Sequence, residues 1–367
     1  MSLVVFPFKT EDPSVVSANL YTAARHDRVD EVWGVAASEG SSMAEVADLA
    51  EEVEAGTGTP VSVFAQERLG IYRSGKGDGM NTALRMAAER GFERTHFYDA
   101  DITNFDGTWI DGAESAADRG YQVVRHRFPR AATDAMITWM VTRPGLALLF
   151  PGTLLPRLGQ PLGGELLLSL TAVESLAADP FVVARSDWGV DTMITHATAI
   201  MGLGIYEHNA ADGKRHAMYG SLVEIRDMLL ECLDAVSSLA DRPGPGADAV
   251  FDSDPPAVVP ADLKQTVAYD MAATRAAIAE APTSGELSVI TGLGLDPTQG
   301  LRVDDTTWHR LFPRLMERFH LEDESWRAAV FRLWVERVIE YTTRWVPLGY
   351  DTAMTHLEGT IRRFEGV

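Results

Sequence analysis

With 367 residues, 46% of them hydrophobic and 23% charged, the chain exceeds the ~100–200 residues of a typical domain and reads as a soluble globular protein of two domains. Its 32 lysines and arginines against 53 aspartates and glutamates leave a net charge of −21 without a basic cluster, which argues against binding nucleic acid or an anionic membrane surface. The lone Cys232 excludes an intrachain disulfide and a cysteine-based zinc site. With no signal peptide at Met1–Pro7 and no run approaching ~18 apolar residues, a cytoplasmic location is expected.

Leu3–Phe8 is a short continuous apolar run, as a buried parallel strand requires. Asp12-Pro13 supplies an N-cap and a proline for the first helical turn, opening a helix to about His26. Val29–Ala37 reads as a second strand, Ser42–Gly56 as an acidic amphipathic helix and Pro60–Gln66 as a third strand. A glycine-rich loop follows, then a helix from about Asn81 to Arg90, a fourth strand at Thr95–Ile102 and a fifth at Tyr121–Arg127. This alternation predicts βαβ units and a twisted, mostly parallel sheet flanked by helices, over residues 1–220. Beyond Gly220 the segments Ser221–Asp241, Ala261–Ala281, Asp305–His320 and Glu324–Val346 carry helical periodicity. Residues 221–367 therefore read as a mainly helical part, either a separate domain or an extension wrapped around the first, with a Pro/Gly-rich connector at 242–260. Trp326, Trp334 and Trp345 share one face of its last long helices, as core or as an oligomer interface, and a homo-oligomer is expected.

Several charged segments leave strands at one sheet edge. Phe97-Tyr98-Asp99-Ala100-Asp101 is an apolar strand ending in Asp-x-Asp, at the edge where α/β sheets bind ligands. Two carboxylates at that spacing reach one cavity, and their hard oxygens suit Mn²⁺, Mg²⁺ or Ca²⁺ shared with a diphosphate; a turn with solvated aspartates is the alternative. Asp252-Ser253-Asp254 repeats the pattern in the connector with no strand expected before it, and reads as a solvated turn. Gly70–Gly77 approaches a P-loop, but Gly77 stands where a hydroxyl must hold Mg²⁺, and Met80 and Thr82 break a dinucleotide fingerprint. What remains is a loop bringing Lys76 to a helix N-terminus, an anion site or a solvated turn. Pro7-Phe8-Lys9-Thr10-Glu11 brings a lysine and a glutamate to the same edge. His216, in Lys214-Arg215-His216, qualifies as a further metal ligand or as a structural histidine. Asp187–Asp191 reads by default as a helix N-cap segment. Arg125, Arg127 and Arg130 offer bidentate pairing to a carboxylate substrate, or pair with neighbouring acids. Only four basic residues are lysines (Lys9, Lys76, Lys214 and Lys264), and three of them fall inside these segments.

Together the Pro-x-Lys strand end, the Gly-Lys-Gly loop and Asp-x-Asp resemble GT-A-type nucleotide-sugar glycosyltransferases. Gln160-Pro161-Leu162-Gly163-Gly164-Glu165 and Trp188-Gly189-Val190-Asp191 extend the resemblance, over essentially the whole chain, to the retaining mannosylglycerate synthase family. The resemblance implies a GT-A-type α/β fold and a divalent-metal-dependent transfer of mannose. The donor would be GDP-mannose and the acceptor the 2-hydroxyl of D-glycerate or a similar small 2-hydroxy acid, giving a compatible solute. By matching position, Pro7, Lys9, Glu11, Gln66 and Lys76 would line the GDP pocket, with Asp99 and Ala100 nearer the donor ribose or sugar. Asp101 and His216 would bind the metal (Mn²⁺, Mg²⁺ or Ca²⁺) and Asp191 would contact mannose at the reacting centre. Arg130 and Thr138 would hold the glycerate carboxylate, and Tyr219 and Met228 would belong to a closing loop.

The residues agree chemically, since a diphosphate donor and an anionic acceptor meeting in so acidic a protein need local positive charge. Retention admits double displacement through a carboxylate or attack on the face the diphosphate leaves; no carboxylate announces itself as a nucleophile, which favours the second. The competing readings are a glucosyltransferase acting on glycerate or phosphoglycerate, a sugar-1-phosphate nucleotidyltransferase, which would carry a glycine-rich loop where Pro7–Asp12 has none, and a non-catalytic nucleotide-sugar-binding protein.

Overall fold

The computed structural model describes residues 1–37, 42–216, 219–297, 300–317 and 321–366. The described residues form two compact units that interleave along the chain: Met1–Pro129 with Leu158–Ala217 and Pro245–Val258, and Arg130–Arg157 with Met218–Gly244 and Val259–Val367.

The first unit is built on β1 (Ser2–Phe8), β2 (Glu31–Ala36), β3 (Val61–Ala65), β4 (Arg94–Phe97), β5 (Val123–Arg127), β6 (Leu166–Ser169), β7 (Ile205–Asn209) and β8 (Phe251–Ser253), in the spatial order β3-β2-β1-β4-β6-β5-β7-β8. All pairings are parallel except those of β6, which runs antiparallel between β4 and β5 with Phe97 opposite Leu166. The helices α1 (Pro13–Ala24), α2 (Met43–Thr57), α3 (Lys76–Arg90) and α4 (Gly107–Asp118) follow β1 to β4 in turn. As expected, Asp12 caps α1, its side chain accepting from the Ser14 amide at 2.9 Å, with Pro13 in the first turn. Gly91 closes α3 at φ 72°, a conformation that an L side chain resists. Val4, Phe6 and Val32 of the sheet pack with Val16 and Leu20 of α1, Val46 of α2 and Trp109 of α4 in one apolar cluster.

Three local expectations change. α3 begins at Lys76 rather than Asn81, because the Asp78 amide finds the Ser186 carbonyl at 3.2 Å and the Gly75 carbonyl at 3.1 Å. No strand is expected beyond Tyr121–Arg127 in this unit, yet Leu166–Ser169 forms β6 before the helix Leu170–Ala178. The connector, expected to lack strands, contributes β8. Asp252 there accepts from the Tyr121 hydroxyl. Asp254 accepts from the Tyr206 hydroxyl and from the Asn209 amide at 3.0 Å, and lies 2.7 Å from His208 Nδ1, so these carboxylates fasten the edge strand.

The second unit is helical. The 21-residue helix Glu324–Arg344 buries Trp326 and Trp334, as the helix Asp305–Glu317 buries Trp308, while Trp345 stacks on His356 with ring centroids 3.7 Å apart. The expected helix Ala261–Ala281 is two short ones, Ala261–Gln265 and Met271–Ala277; the first ends where Thr266 turns extended, and Asp270 caps the second through the Ala272 and Ala273 amides at 2.7 and 2.9 Å. Arg143 grips both oxygens of Glu358 at 2.9 Å, and the Trp308 indole donates to the Met140 carbonyl at 3.0 Å. Among the described residues, no helix is long and apolar enough to cross a membrane.

Candidate active site

In the first unit, the C-terminal ends of β1, β3 and β4 share one sheet edge. Because β6 is antiparallel, its N-terminal lead-in, Gly163-Gly164-Glu165, arrives at that edge from the opposite direction. The glycines of the 75–79 loop permit close approaches. A Cβ on Gly77 would sit 2.2 Å from the Arg185 carbonyl oxygen, so only glycine lets the first turn of α3 lie on the 185–187 segment. A Cβ on Gly79 would come within 3.2 Å of Gln66 Oε1 and 3.4 Å of Pro7 Cβ, which brings two of the expected nucleotide residues against α3. The buried Asp78 carboxylate draws the preceding loop inward, accepting from the Leu69 and Gly70 amides at 3.0 Å and from Arg68 at 2.8 Å.

This framework aims Lys76 at two carboxylates. Its Nζ lies 2.9 Å from Asp99 Oδ1 and 3.2 Å from Asp191 Oδ2, and 5.6 Å from the centre of the Trp188 ring. Lys214 takes the other oxygen of Asp99 and reaches Glu165 Oε1 at 2.6 Å. The result is one buried chain of alternating charge, Asp191–Lys76–Asp99–Lys214–Glu165. Burial opposes the charge on Lys76, but Asp191, Asp99 and Glu165 outweigh it and hold its pKa above the ordinary lysine range. Asp99 is likewise opposed by burial, yet the two ammonium groups keep it well below the usual carboxylate range. Asp191 and Glu165 are pushed up, chiefly by burial, with Asp99 adding to it.

Arg125 lies beneath this chain and is fully buried. It donates to the carbonyls of Pro161 and Gly163 at 3.2 and 3.0 Å, holding the lead-in to β6. Asp191 Oδ1, Glu165 Oε2, Gln160 Oε1 and Arg125 Nη1 are buried with hydrogen-bonding capacity that the protein itself does not use.

On the other side of Asp99, Asn19 donates to the carbonyls of Ala100 and Ile102 at 3.1 and 2.9 Å, fixing the Asp-x-Asp turn. The 213–215 segment is stitched to the residues after Asp101. Thr103 donates its amide to the Arg215 carbonyl at 2.8 Å, Arg215 donates its amide to Asn104 Oδ1 at 2.8 Å, and Asn104 Nδ2 donates to the Gly213 carbonyl at 2.9 Å. Asp101 and His216 are thus carried on two chain segments bonded to each other, and both are half-buried. Among the described residues no three His, Cys, Asp or Glu side chains converge as a ready-made metal cage. Just after β1, the Glu11 carboxylate accepts from the Lys9 amide, and the Lys9 side chain is exposed; Gln66 Nε2 donates to Ser74 Oγ at 3.1 Å.

The remaining candidates belong to the second unit. Arg130 pairs with Asp134 at 2.9 Å, followed by Ala135 at φ 55°, and buried Thr138 opens the π-turn Thr138–Thr142. Tyr219 bridges to Tyr269, and Met228 is half-buried on the helix Arg226–Ser237. The structure adds Lys214 and Glu165 as members of the charge chain. The scarcity of lysine was the only compositional sign of the first, and the Gly-Gly-Glu motif the only sign of the second.

Comparison with known proteins converges on one family. Residues 2–238 match the mannosylglycerate synthase GT domain and residues 297–361 the mannosylglycerate synthase C-terminal domain. The chain is 44% identical to mannosylglycerate synthase of Rhodothermus marinus, covering 99% of this chain and 94% of that protein. It is 40% identical to mannosylglycerate synthase of Selaginella moellendorffii, covering 98% and 89%. In fold it is similar to glucosyl-3-phosphoglycerate synthase of Mycobacterium tuberculosis, with a TM-score of 0.52, 23% identity and coverage of 66% of this chain and 81% of that one.

Proposed function

This chain belongs to the mannosylglycerate synthase family of glycosyltransferases, and from that premise we propose that it moves mannose from GDP-mannose to the 2-hydroxyl of D-glycerate, or of a similar small 2-hydroxy acid, with retention of anomeric configuration. The product, mannosylglycerate, would serve as a compatible solute. The observation that carries this reading is the convergence of Lys76, Asp99 and Asp191 beside buried polar atoms left open on Asp191, Glu165, Gln160 and Arg125. Such a chamber offers donors and acceptors to sugar hydroxyls, while the ammonium group of Lys76 meets the charge of a departing diphosphate.

Pro7, Lys9, Glu11 and Gln66 would hold the nucleotide, with Asp99 and Ala100 at the ribose and sugar. Asp101 and His216, one carboxylate and one imidazole on segments bonded to each other, fit a divalent ion (Mn²⁺, Mg²⁺ or Ca²⁺) that takes its other ligands from the diphosphate and water. Neighbours of this fold in complex with Mn²⁺ or Mg²⁺ together with uridine diphosphate favour a divalent ion here in general. When bound, such an ion supplies Lewis-acid stabilisation of the leaving diphosphate.

Arg130 and Thr138 would take the acceptor carboxylate, the substrate replacing Asp134 at the guanidinium, and Tyr219 and Met228 would close over it. Asp191, with one oxygen held by Lys76, would orient mannose. Attack then occurs on the face the diphosphate leaves, the 2-hydroxyl proton passing to a phosphate oxygen of the departing GDP. Nucleotide release from GDP-mannose, measured with and without D-glycerate, in Mn²⁺ and in EDTA, should require both acceptor and metal. Release from UDP-glucose but not GDP-mannose would overturn the donor assignment. Asp191→Asn should slow turnover without accumulating a glycosyl-enzyme, and a trapped adduct would establish double displacement instead.

A further inference from the structure

We infer that Lys214, clamped by Glu165, is the positioning residue that holds the 213–216 segment, and with it His216, at the Asp-x-Asp edge. Lys214 has 7% of its side chain exposed and spans Asp99 Oδ2 and Glu165 Oε1, and the Glu165 side chain is fully buried. Two of the attachments between the 213–216 segment and the sheet unit differ in kind. One is the set of bonds to Thr103 and Asn104, which apart from the buried Gly213 join exposed or half-exposed residues where water competes for the donors and acceptors. The other is the Lys214 ammonium, from which water is largely excluded, so its pairing with two carboxylates is correspondingly strong and its loss leaves those charges stranded.

Position in the chain makes this attachment consequential. Lys214 is two residues from His216, whereas Asp99 is two residues from Asp101. One ammonium group therefore ties together the two segments that carry both proposed metal ligands. Glu165 comes from a third element, the lead-in to β6, and contacts neither ligand; its role here is to hold Lys214.

The tether itself stands on the geometry, while its effect on metal binding rests on the assignment of His216 above. Hydrogen exchange read by mass spectrometry on the full chain without metal tests the first. Lys214→Met and Glu165→Gln should each speed exchange in peptides covering Thr103 and Arg215 by about tenfold or more, with peptides from β1 and α1 unchanged. Lys214→Arg, which keeps a bridging cation, should retain most of the protection. Unchanged exchange at Thr103 and Arg215 in Lys214→Met overturns the proposal.

Mn²⁺ titration of nucleotide release tests the second. Lys214→Met and Glu165→Gln should each raise the Mn²⁺ concentration for half-maximal rate by about 10–100-fold, whatever turnover remains at saturating Mn²⁺. A fall in turnover and thermal stability with an unaltered Mn²⁺ requirement would assign the pair a structural role only. An effect of Lys214→Met that Glu165→Gln does not reproduce would make Lys214 a direct phosphate contact and overturn the positioning role. If the wild-type chain proves active in EDTA, the metal assignment of His216 falls, and the exchange data alone decide the tether.

Discussion

Gly164→Ala isolates the contribution of Lys76 placement, because the new atom touches little besides the charge chain. The added Cβ would lie 2.2 Å from Lys76 Nζ, 2.7 Å from Asp99 Oδ1 and 3.0 Å from Lys76 Cε. Gly164 has no positive φ, so alanine fits the backbone and the conflict is steric. To restore ordinary contact, Nζ must retreat by roughly 1.2 Å, lengthening ion pairs that now measure 2.9 and 3.2 Å. At an effective dielectric of about 20, moving a unit charge from about 3 to about 4.2 Å loses about 1.5 kcal/mol per carboxylate, or about 3 kcal/mol for Asp99 and Asp191 together. If that placement is realised fully in the transition state, kcat/KM falls by about 10²-fold. The assay is GDP release from GDP-mannose with D-glycerate, alongside a thermal melt to confirm folding. Gly163→Ala is the control: its Cβ would come no nearer than 3.2 Å to the Gln160 carbonyl and 3.7 Å to Glu165 Oε2, and its loss should stay below about tenfold. Near-wild-type activity in Gly164→Ala, or an equal loss in Gly163→Ala, would refute the reasoning.

Gly77→Ala should destabilise the first unit by about 1–3 kcal/mol, since its Cβ would overlap the Arg185 carbonyl oxygen; a melting temperature equal to wild type would count against that contact. Burial holds His96 below and His126 well below the ordinary histidine pKa, so the unfolded chain binds more protons than the folded one once pH drops under about 6.5. Their contribution to stability is present in full above that pH and is lost toward the folded values. Urea denaturation should therefore show stability falling by up to about 1.4 kcal/mol per pH unit per histidine below pH 6.5, and His126→Gln should flatten the slope. Glu114, opposed by burial but held to about 2 by His96, Arg94 and Ser2, adds stability that is lost as pH falls from the carboxylate range toward 2. In the second unit, Arg143→Met strands a two-point contact with Glu358 and should cost about 1–3 kcal/mol. Arg28→Ala, which breaks a half-exposed pair with Asp118, should cost under about 1 kcal/mol in the same urea assay.

The elements legible from sequence are those whose signal is local. Asp12-Pro13 announces α1 because cap and proline act within one turn, and the run Leu3–Phe8 announces β1 because both faces of a central parallel strand are covered. β7 was not visible: Ile205-Tyr206-Glu207-His208-Asn209 is half polar, and its polar groups are satisfied by partners distant in the chain, Glu207 accepting from the Gly159 amide at 2.7 Å and His208 meeting Asp254. β6 was concealed by its own neighbour, since Leu166-Leu167-Leu168 runs straight into an apolar helix and periodicity cannot divide the two. At the site, Asp99, Asp101 and Lys76 stood out because motif and strand end coincide. Arg125 looked like a ligand for substrate carboxylate, but it grips backbone carbonyls, a role that no local pattern encodes.

The interleaving of the two units also bears on how the chain is made. The segment Arg130–Arg157 leaves the ribosome early, yet it packs with residues translated much later. The Ala132 carbonyl accepts from the Tyr341 hydroxyl at 2.9 Å across 209 positions, and Arg143 meets Glu358 across 215. At about 5–20 residues per second, that interval is roughly 10–40 s of synthesis during which this apolar stretch lacks its last partners. Nascent chains should therefore depend on chaperone occupancy over this window, and the second unit can close only after release, as one late, long-range event.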